Sequence, residues 1–98
     1  MKVITVCGSF KYIDEMIKVS EKLCLGGNCV LSPMYPINGK KYSDEDKKIL
    51  GQMHLERIKI SDSIFVINVD NYIGESTKKE IEFAKSLGKE IIYYTDIN

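Results

Sequence analysis

Neither sign of charge is in excess in this 98-residue chain: fourteen Lys and Arg stand against fourteen Asp and Glu. The lysines are interleaved with acids, so no basic stripe marks a nucleic-acid surface. A nucleic-acid polymer is therefore not an expected partner, while a nucleotide-sized ligand stays open. Histidine occurs once, at His54, with no second histidine or cysteine pair beside it, which argues against a zinc site. Cys7, Cys24 and Cys29 have neither an even count nor metal-ligand spacing, so no disulfide framework is expected. They sit in apolar runs and read as buried, reduced thiols, the pattern of a cytoplasmic protein. No apolar run approaches the ~20 residues of a membrane span, and Met1-Lys2-Val3 leads straight into a strand, so neither membrane partner nor signal peptide is expected. The G-x-G-x-x-G fingerprint and the Walker loop are both absent, which disfavours a dinucleotide fold of the usual kind. There is no repeat, linker or low-complexity segment, and 1–98 reads as one small domain.

What is present is an alternation of apolar strands and amphipathic helices. Val3-Ile4-Thr5-Val6-Cys7 reads as a buried first strand ending in Gly8-Ser9. Ile13, Met16, Ile17, Ser20, Leu23 and Cys24 follow helical spacing up to Gly26-Gly27. Asn28 to Leu31 forms a second strand stopped by Pro33, and the Pro- and Tyr-containing stretch to Tyr42 is a loop. Ser43, with acids after it, caps a long helix running to about Ser61. Ile64 to Val69 is the third strand, Ser76 to Leu87 the third helix, and Glu90 to Tyr94 the last strand. The order β-α-β-α-β-α-β implies a small flavodoxin/Rossmann-like three-layer α/β sandwich. Right-handed crossovers suggest a parallel sheet of strand order 2-1-3-4. The switch point then lies between the first and third strands, at Gly8-Ser9 and Asn68-Val69-Asp70. Within the second helix, Ile49, Leu50, Met53 and Ile60 share one side, whereas Leu55 and Ile58 lie away from it. That surplus apolar surface suggests a homodimer or higher homo-oligomer through Leu55 and Ile58.

Glu80 carries the chemical interest. It lies in the third helix with Phe83, Ala84 and Leu87 at i+3, i+4 and i+7, while Glu82 points into solvent. A carboxylate on a buried face costs several kcal/mol, by rough estimate, unless something satisfies it. It also lies near the carboxyl end of a parallel strand, where open α/β sheets bind ligands. Thr77-x-x-Glu80 equally fits a capping box with Thr77 as N-cap, and both readings stay open. His54 sits mid-helix with Arg57 and Ser61 at i+3 and i+7. Asn68, at a strand end, can hydrogen-bond a ligand or loop backbone. Tyr35, Tyr42 and Tyr72 lie in loops near the same rim.

Cys7-Gly8-Ser9, the His54 to Asp62 helix end, the Ile64 to Asn68 strand, and Gly74-Glu75-Ser76-Thr77-x-x-Glu80-Ile81-x-x-Ala84-x-x-x-Gly88-Lys89 occur in that order. Together they resemble the nucleoside 2-deoxyribosyltransferase-like superfamily, which includes the deoxynucleoside monophosphate N-glycosidases. The resemblance implies that Glu80 is a nucleophile attacking the anomeric carbon of the sugar. It further implies that Gly8, Ser9 and the adjoining Phe10 contact the substrate, that Gly74, Glu75 and Ser76 hold sugar or phosphate, and that Asn68 lies at the same rim. Where the family usually carries an aspartate that assists the leaving base, this chain has His54, which can donate a proton if protonated. The loop before the catalytic helix is longer here and carries Asn71-Tyr72-Ile73 and the acidic Glu75. The implied substrate is a nucleoside or nucleoside monophosphate, without metal or organic cofactor. A nucleotide sensor with the pocket but no turnover is the competing expectation.

Overall fold

The computed structural model of the protein describes residues 1–97. Strands β1 (Val3–Gly8), β2 (Cys29–Leu31), β3 (Ser63–Ile67) and β4 (Glu90–Tyr93) form one parallel sheet in the order β2-β1-β3-β4. This is the expected order 2-1-3-4. Helices α1 (Ile13–Leu25), α2 (Asp44–Lys59) and α3 (Glu75–Ser86) make the crossovers. Two features are additional to the expected elements. A helical turn, α4 (Tyr94–Ile97), follows β4, and short 3-10 turns occupy Phe10–Tyr12 and Val69–Asn71. Among the described residues, no helix is long and apolar enough to cross a membrane.

The period-two alternation of strands divides the core between the faces of the sheet. Ile4 and Val6 of β1 and Phe65 and Ile67 of β3 pack with Met16 and Val19 of α1. Cys7, Ile64 and Val66 point the other way, against Ile58 of α2 and Ile81 and Ala84 of α3. Met16 and Ile58 are completely buried. Each such side chain contributes about 2–3 kcal/mol by the area it removes from water. The register pairs Cys7 with Val66 and Gly8 with Ile67, so β1 and β3 end together at the switch point. A Cβ on Gly8 would lie 3.0 Å from the Ile67 Cβ. Only glycine allows so close an approach without a shift of one strand.

The helix ends explain why the helices sit where they do. Ser43 caps α2 as expected: its hydroxyl accepts from the Asp46 amide at 3.0 Å, and Asp46 Oδ2 accepts from the Ser43 amide at 3.3 Å. At the other end of α2, the Arg57 carbonyl accepts from both Thr5 Oγ1 (3.2 Å) and Ser61 Oγ (2.7 Å). Those bonds tie the last turn of α2 to β1. Asp62 accepts from the Val3 amide at 2.8 Å, which fixes the entry to β3. Gly88, at φ +70, closes α3 in the left-handed region that favours glycine.

Three expectations are corrected by this packing. First, α3 begins at Glu75 with Gly74 as its N-cap, and no side chain caps it. Thr77 is thus a buried residue inside the first turn. Glu80 is the sixth helical residue, out of reach of the N-cap amide, so the capping box does not exist. The buried stripe is Thr77, Ile81 and Ala84, at i, i+4 and i+7, and Leu87 lies exposed beyond the helix. Second, α2 faces inward through His54 and Ile58, with Leu55 packed at the margin. Its outward side carries Ile49, Met53 and Ile60, all exposed, so any surplus apolar surface is there and not at Leu55 and Ile58. Third, only Cys7 is buried: Cys24 and Cys29 are exposed, on the last turn of α1 and at the start of the edge strand β2.

Candidate active site

A pocket of about 650 Å³ opens at the carboxyl end of β1, between the loop after β2, helix α2 and the start of α3. That size suits a small organic ligand. Its wall on the β1 side is Gly8, Ser9, Phe10 and Lys11; on the α3 side it is Gly74, Glu75, Ser76, Thr77 and Glu80. Helix α2 supplies Lys47, Leu50, Gly51 and His54, one face at helical spacing. The loop between β2 and α2 adds Pro33, Met34, Pro36 and Tyr42. Tyr42 is also a structural tie, since its hydroxyl accepts from the Ile37 amide at 3.0 Å. Lys11 lies over the Tyr72 ring at 4.7 Å, joining the loop before α3 to the first βα turn.

Most of the residues singled out in the sequence meet here. Gly8, Ser9, Phe10, His54, Gly74, Glu75, Ser76 and Glu80 all line the pocket. Asn68 does not. Its amide donates to Thr95 Oγ1 at 3.1 Å, and its carbonyl oxygen accepts from the Thr95 amide at 3.2 Å. Both polar atoms thus secure α4 against the end of β3, a partner that the sequence pattern did not reveal. Tyr35 and Tyr72 also stay outside the lining; Tyr35 supports Phe10 edge-on at 6.0 Å between ring centroids. Glu75 points largely into water and pairs with Lys78 at 3.2 Å, which offsets its charge at the pocket mouth.

Glu80 is the inner carboxylate of this pocket, with its side chain only 18% exposed. Burial pushes its carboxyl up to about 7, while a hydrogen bond from the Cys7 thiol opposes the rise. Burial, and then the nearby Arg57 guanidinium, lower His54 to about 4. Both causes favour a neutral His54 ring at pH 7. Its Nε2 lies 3.4 Å from Cys7 Sγ and 3.6 Å from Glu80 Oε1. The latter contact is not an ion pair, because the ring is uncharged. The Cys7 thiol, fully buried, is raised well above its ordinary value by burial and by Glu80, so it stays protonated.

Cys7, His54 and Glu80 place one potential ligand atom each within 4.8 Å of one another. The absence of a second histidine or cysteine pair in the sequence did not anticipate such a set. The residue types suit zinc, but the surroundings do not. A metal-bound imidazole normally donates its other ring N–H to an acceptor. His54 Nδ1 instead faces Arg57 Nη1 at 3.5 Å, and a guanidinium can only donate. The cluster is built to hydrogen-bond a carboxylate.

No family model matches the chain, and no curated protein matches it either. Solved structures do. A 2-deoxyribosyltransferase from Bacillus psychrosaccharolyticus superposes with a TM-score of 0.72 at 24% identity, over 93% of this chain and 70% of that one. A 2-deoxyribosyltransferase from Leishmania mexicana superposes with a TM-score of 0.71 at 15% identity, over 96% of this chain. The fold is nucleoside 2-deoxyribosyltransferase-like. The chain spans 64% of the length of the Leishmania protein. At these identities the likeness is one of architecture, and the chemistry rests on the side chains in the pocket.

Within this nucleoside 2-deoxyribosyltransferase-like fold, sequence reading missed four contributors. Cys7 looked like a filler thiol, although the alternation of β1 puts it on the face of α2 and α3. Arg57 had a legible signal, its i+3 spacing from His54. Lys11 and Lys47 had none, since each is one lysine among many until the fold brings both to one pocket.

Proposed function

We propose that the protein cleaves or exchanges the N-glycosidic bond of a nucleoside or nucleoside monophosphate, with Glu80 as nucleophile. The observation that carries this reading is a largely buried carboxylate, Glu80, lining a pocket of about 650 Å³, large enough for a nucleoside. The ionised Glu80 oxygen attacks the anomeric carbon. The carbon–nitrogen bond breaks, its electron pair leaves on the base nitrogen, and solvent returns a proton to the base. Water, or a second base, then attacks the same carbon and releases Glu80 from the ester. Hydrolysis deposits a hydroxyl on the sugar and a proton in solvent; exchange deposits the new base. No cofactor enters either route. The Bacillus psychrosaccharolyticus enzyme is described as a biocatalyst for nucleoside synthesis, which supports base exchange as the transfer half of this scheme.

One observation favours the sensor reading: a neutral His54 stands where the resembled family carries an aspartate. The two readings part in a base-release assay. Purified protein is incubated with a panel of nucleosides and 5′-monophosphates, and free base is followed by chromatography. Release by the wild type that disappears in Glu80→Gln supports the enzyme. Thermal stabilisation by a panel member without release supports the sensor. Release by Glu80→Gln at the wild-type rate removes Glu80 from the mechanism.

A further inference from the structure

We infer that Arg57, His54 and Cys7 form a one-way hydrogen-bond relay that ends on Glu80 and aims its carboxylate into the pocket. Its catalytic meaning rests on the nucleophile reading above; its existence does not. The direction follows from the two ends. A guanidinium has donors only, and a carboxylate has acceptors only. Arg57 Nη1 lies 3.5 Å from His54 Nδ1, so that nitrogen must offer its lone pair. A neutral imidazole then carries its proton on Nε2. Nε2 lies 3.4 Å from Cys7 Sγ, so the ring donates to sulfur. The thiol hydrogen is then left for Glu80, whose carboxylate oxygen lies within 4.8 Å of the sulfur. With Glu80 ionised, these two ends set the direction of every link between them.

The opposite arrangement fails at both ends. An Nδ1–H would face a guanidinium hydrogen with no acceptor. Nε2 would then compete for the thiol hydrogen, leaving Glu80 without a donor. The relay is also held from outside the site. The Arg57 carbonyl accepts from Thr5 and Ser61, so Arg57 and Cys7 are tied to the same strand two residues apart. This explains a fully buried thiol and a half-buried arginine that core packing alone does not require. Lys11, Lys47 and the Lys78-paired Glu75 are the other charged groups around the pocket, and none has a direct contact with Glu80. Arg57 and Cys7 are therefore positioning residues: Arg57 acts through His54, and Cys7 acts on Glu80 directly.

The test begins on the wild type and needs no substrate. Long-range nitrogen-15 correlation spectra at pH 7 report which His54 nitrogen is protonated. The relay requires Nε2–H; finding Nδ1–H overturns it. The second measurement is the titration of the Glu80 side-chain carboxyl, read by carbon-13. Cys7→Ala removes the terminal donor and should move the Glu80 midpoint upward by about one pH unit, a tenfold loss of ionised carboxylate below it. Cys7→Ser keeps a hydrogen on a smaller atom and should restore part of the shift. An unchanged midpoint in Cys7→Ala overturns the relay. Arg57→Met should populate the Nδ1–H tautomer and Arg57→Lys should suppress it again. If no panel substrate is turned over, these spectra still decide the relay. If base is released while His54 is Nδ1–H, the relay fails and the enzyme reading stands.

Discussion

Replacing Glu80 with glutamine should stabilise the protein at alkaline pH and leave it little changed in acid. A carboxyl raised from an ordinary 4.5 to about 7 prefers its neutral form in the folded state. Below pH 4.5 it is protonated in both states and costs nothing. As pH rises from 4.5 through 7, the unfolded chain ionises first, and folding loses about 3 kcal/mol, a loss that is complete above pH 7. Glutamine has the shape of the neutral acid and carries no such loss. His54 works in the opposite sense. Its folded value is depressed from 6.5 to about 4, so folding loses about 3 kcal/mol as pH falls from 6.5 through 4. The causes of that depression are burial and Arg57, not Glu80, so the mutant retains it. In the wild type the two losses offset each other between pH 7 and 4. In Glu80→Gln only the histidine loss remains. Urea titrations at pH 8 and pH 4 measure the difference. The mutant midpoint should exceed that of the wild type by about 1–3 M at pH 8, and the two should converge at pH 4. A capping carboxylate would give the reverse, a loss of about 1 kcal/mol. A mutant no more stable than the wild type at pH 8 would refute the reasoning.

Further expectations follow from the same geometry. Base release should rise with pH through about 7 and level off above it, because attack needs ionised Glu80; a rate that falls across that range, measured at saturating substrate, contradicts nucleophilic attack. Glu80→Gln should lose at least ~10³-fold in release, while Glu82→Gln, on the exposed side of α3 and paired only with Lys85, should retain the wild-type rate. His54→Asp restores the residue type of the resembled family but sets a second carboxyl beside Glu80. The relay expects slower release at pH 7, and faster release would show that the aspartate role outweighs orientation. We also propose that the protein self-associates through the outer side of α2. Met53→Lys should then lower the mass seen by sedimentation at high micromolar concentration, and a monomeric wild type there removes the proposal.

The fold was legible because its signals are local and redundant. Apolar runs such as Ile64 to Ile67 mark strands covered on both faces, Ser43 marks a cap, and Gly88 marks a stop. Handedness rules then leave few ways to order four strands. The location of the site followed from that order, and Gly8, Ser9 and Glu80 could be placed at it without coordinates. The errors came where one residue has two compatible roles. Thr77-x-x-Glu80 has the spacing of a capping box, but the helix starts two residues before Thr77, which only the chain path out of the Val69–Asn71 turn decides. In α2, aliphatics occur on two sides, and periodicity cannot say which of them meets the sheet. His54, whose helix face the sequence left open, marks the inward face with Ile58. Asn68 at a strand end looked like a ligand contact because Thr95 lies 27 residues away in sequence.

On the proposed nucleophile reading, a neutral donor beside Glu80 bears on why this carboxylate suits that work. The dipole of α3 gives it little help, since that field falls off within the first turn and Glu80 is past it. In the relay its donor is a thiol, itself held by an uncharged imidazole. A lysine or arginine in their place would hold the carboxyl far below neutrality and tie up the oxygen that must attack. Leaving it with no donor would push it higher still and keep it protonated at pH 7. Neutral donors in a buried setting give the intermediate outcome, a carboxyl near 7, where a large fraction is ionised and the ionised form is still basic. A neutral His54 can hold the thiol in this way and an ionised aspartate cannot, because it has no hydrogen to give and adds charge. On the proposed nucleophile reading, His54 in place of the resembled family's aspartate changes how the carboxylate is held, with Cys7 and Arg57 as its partners.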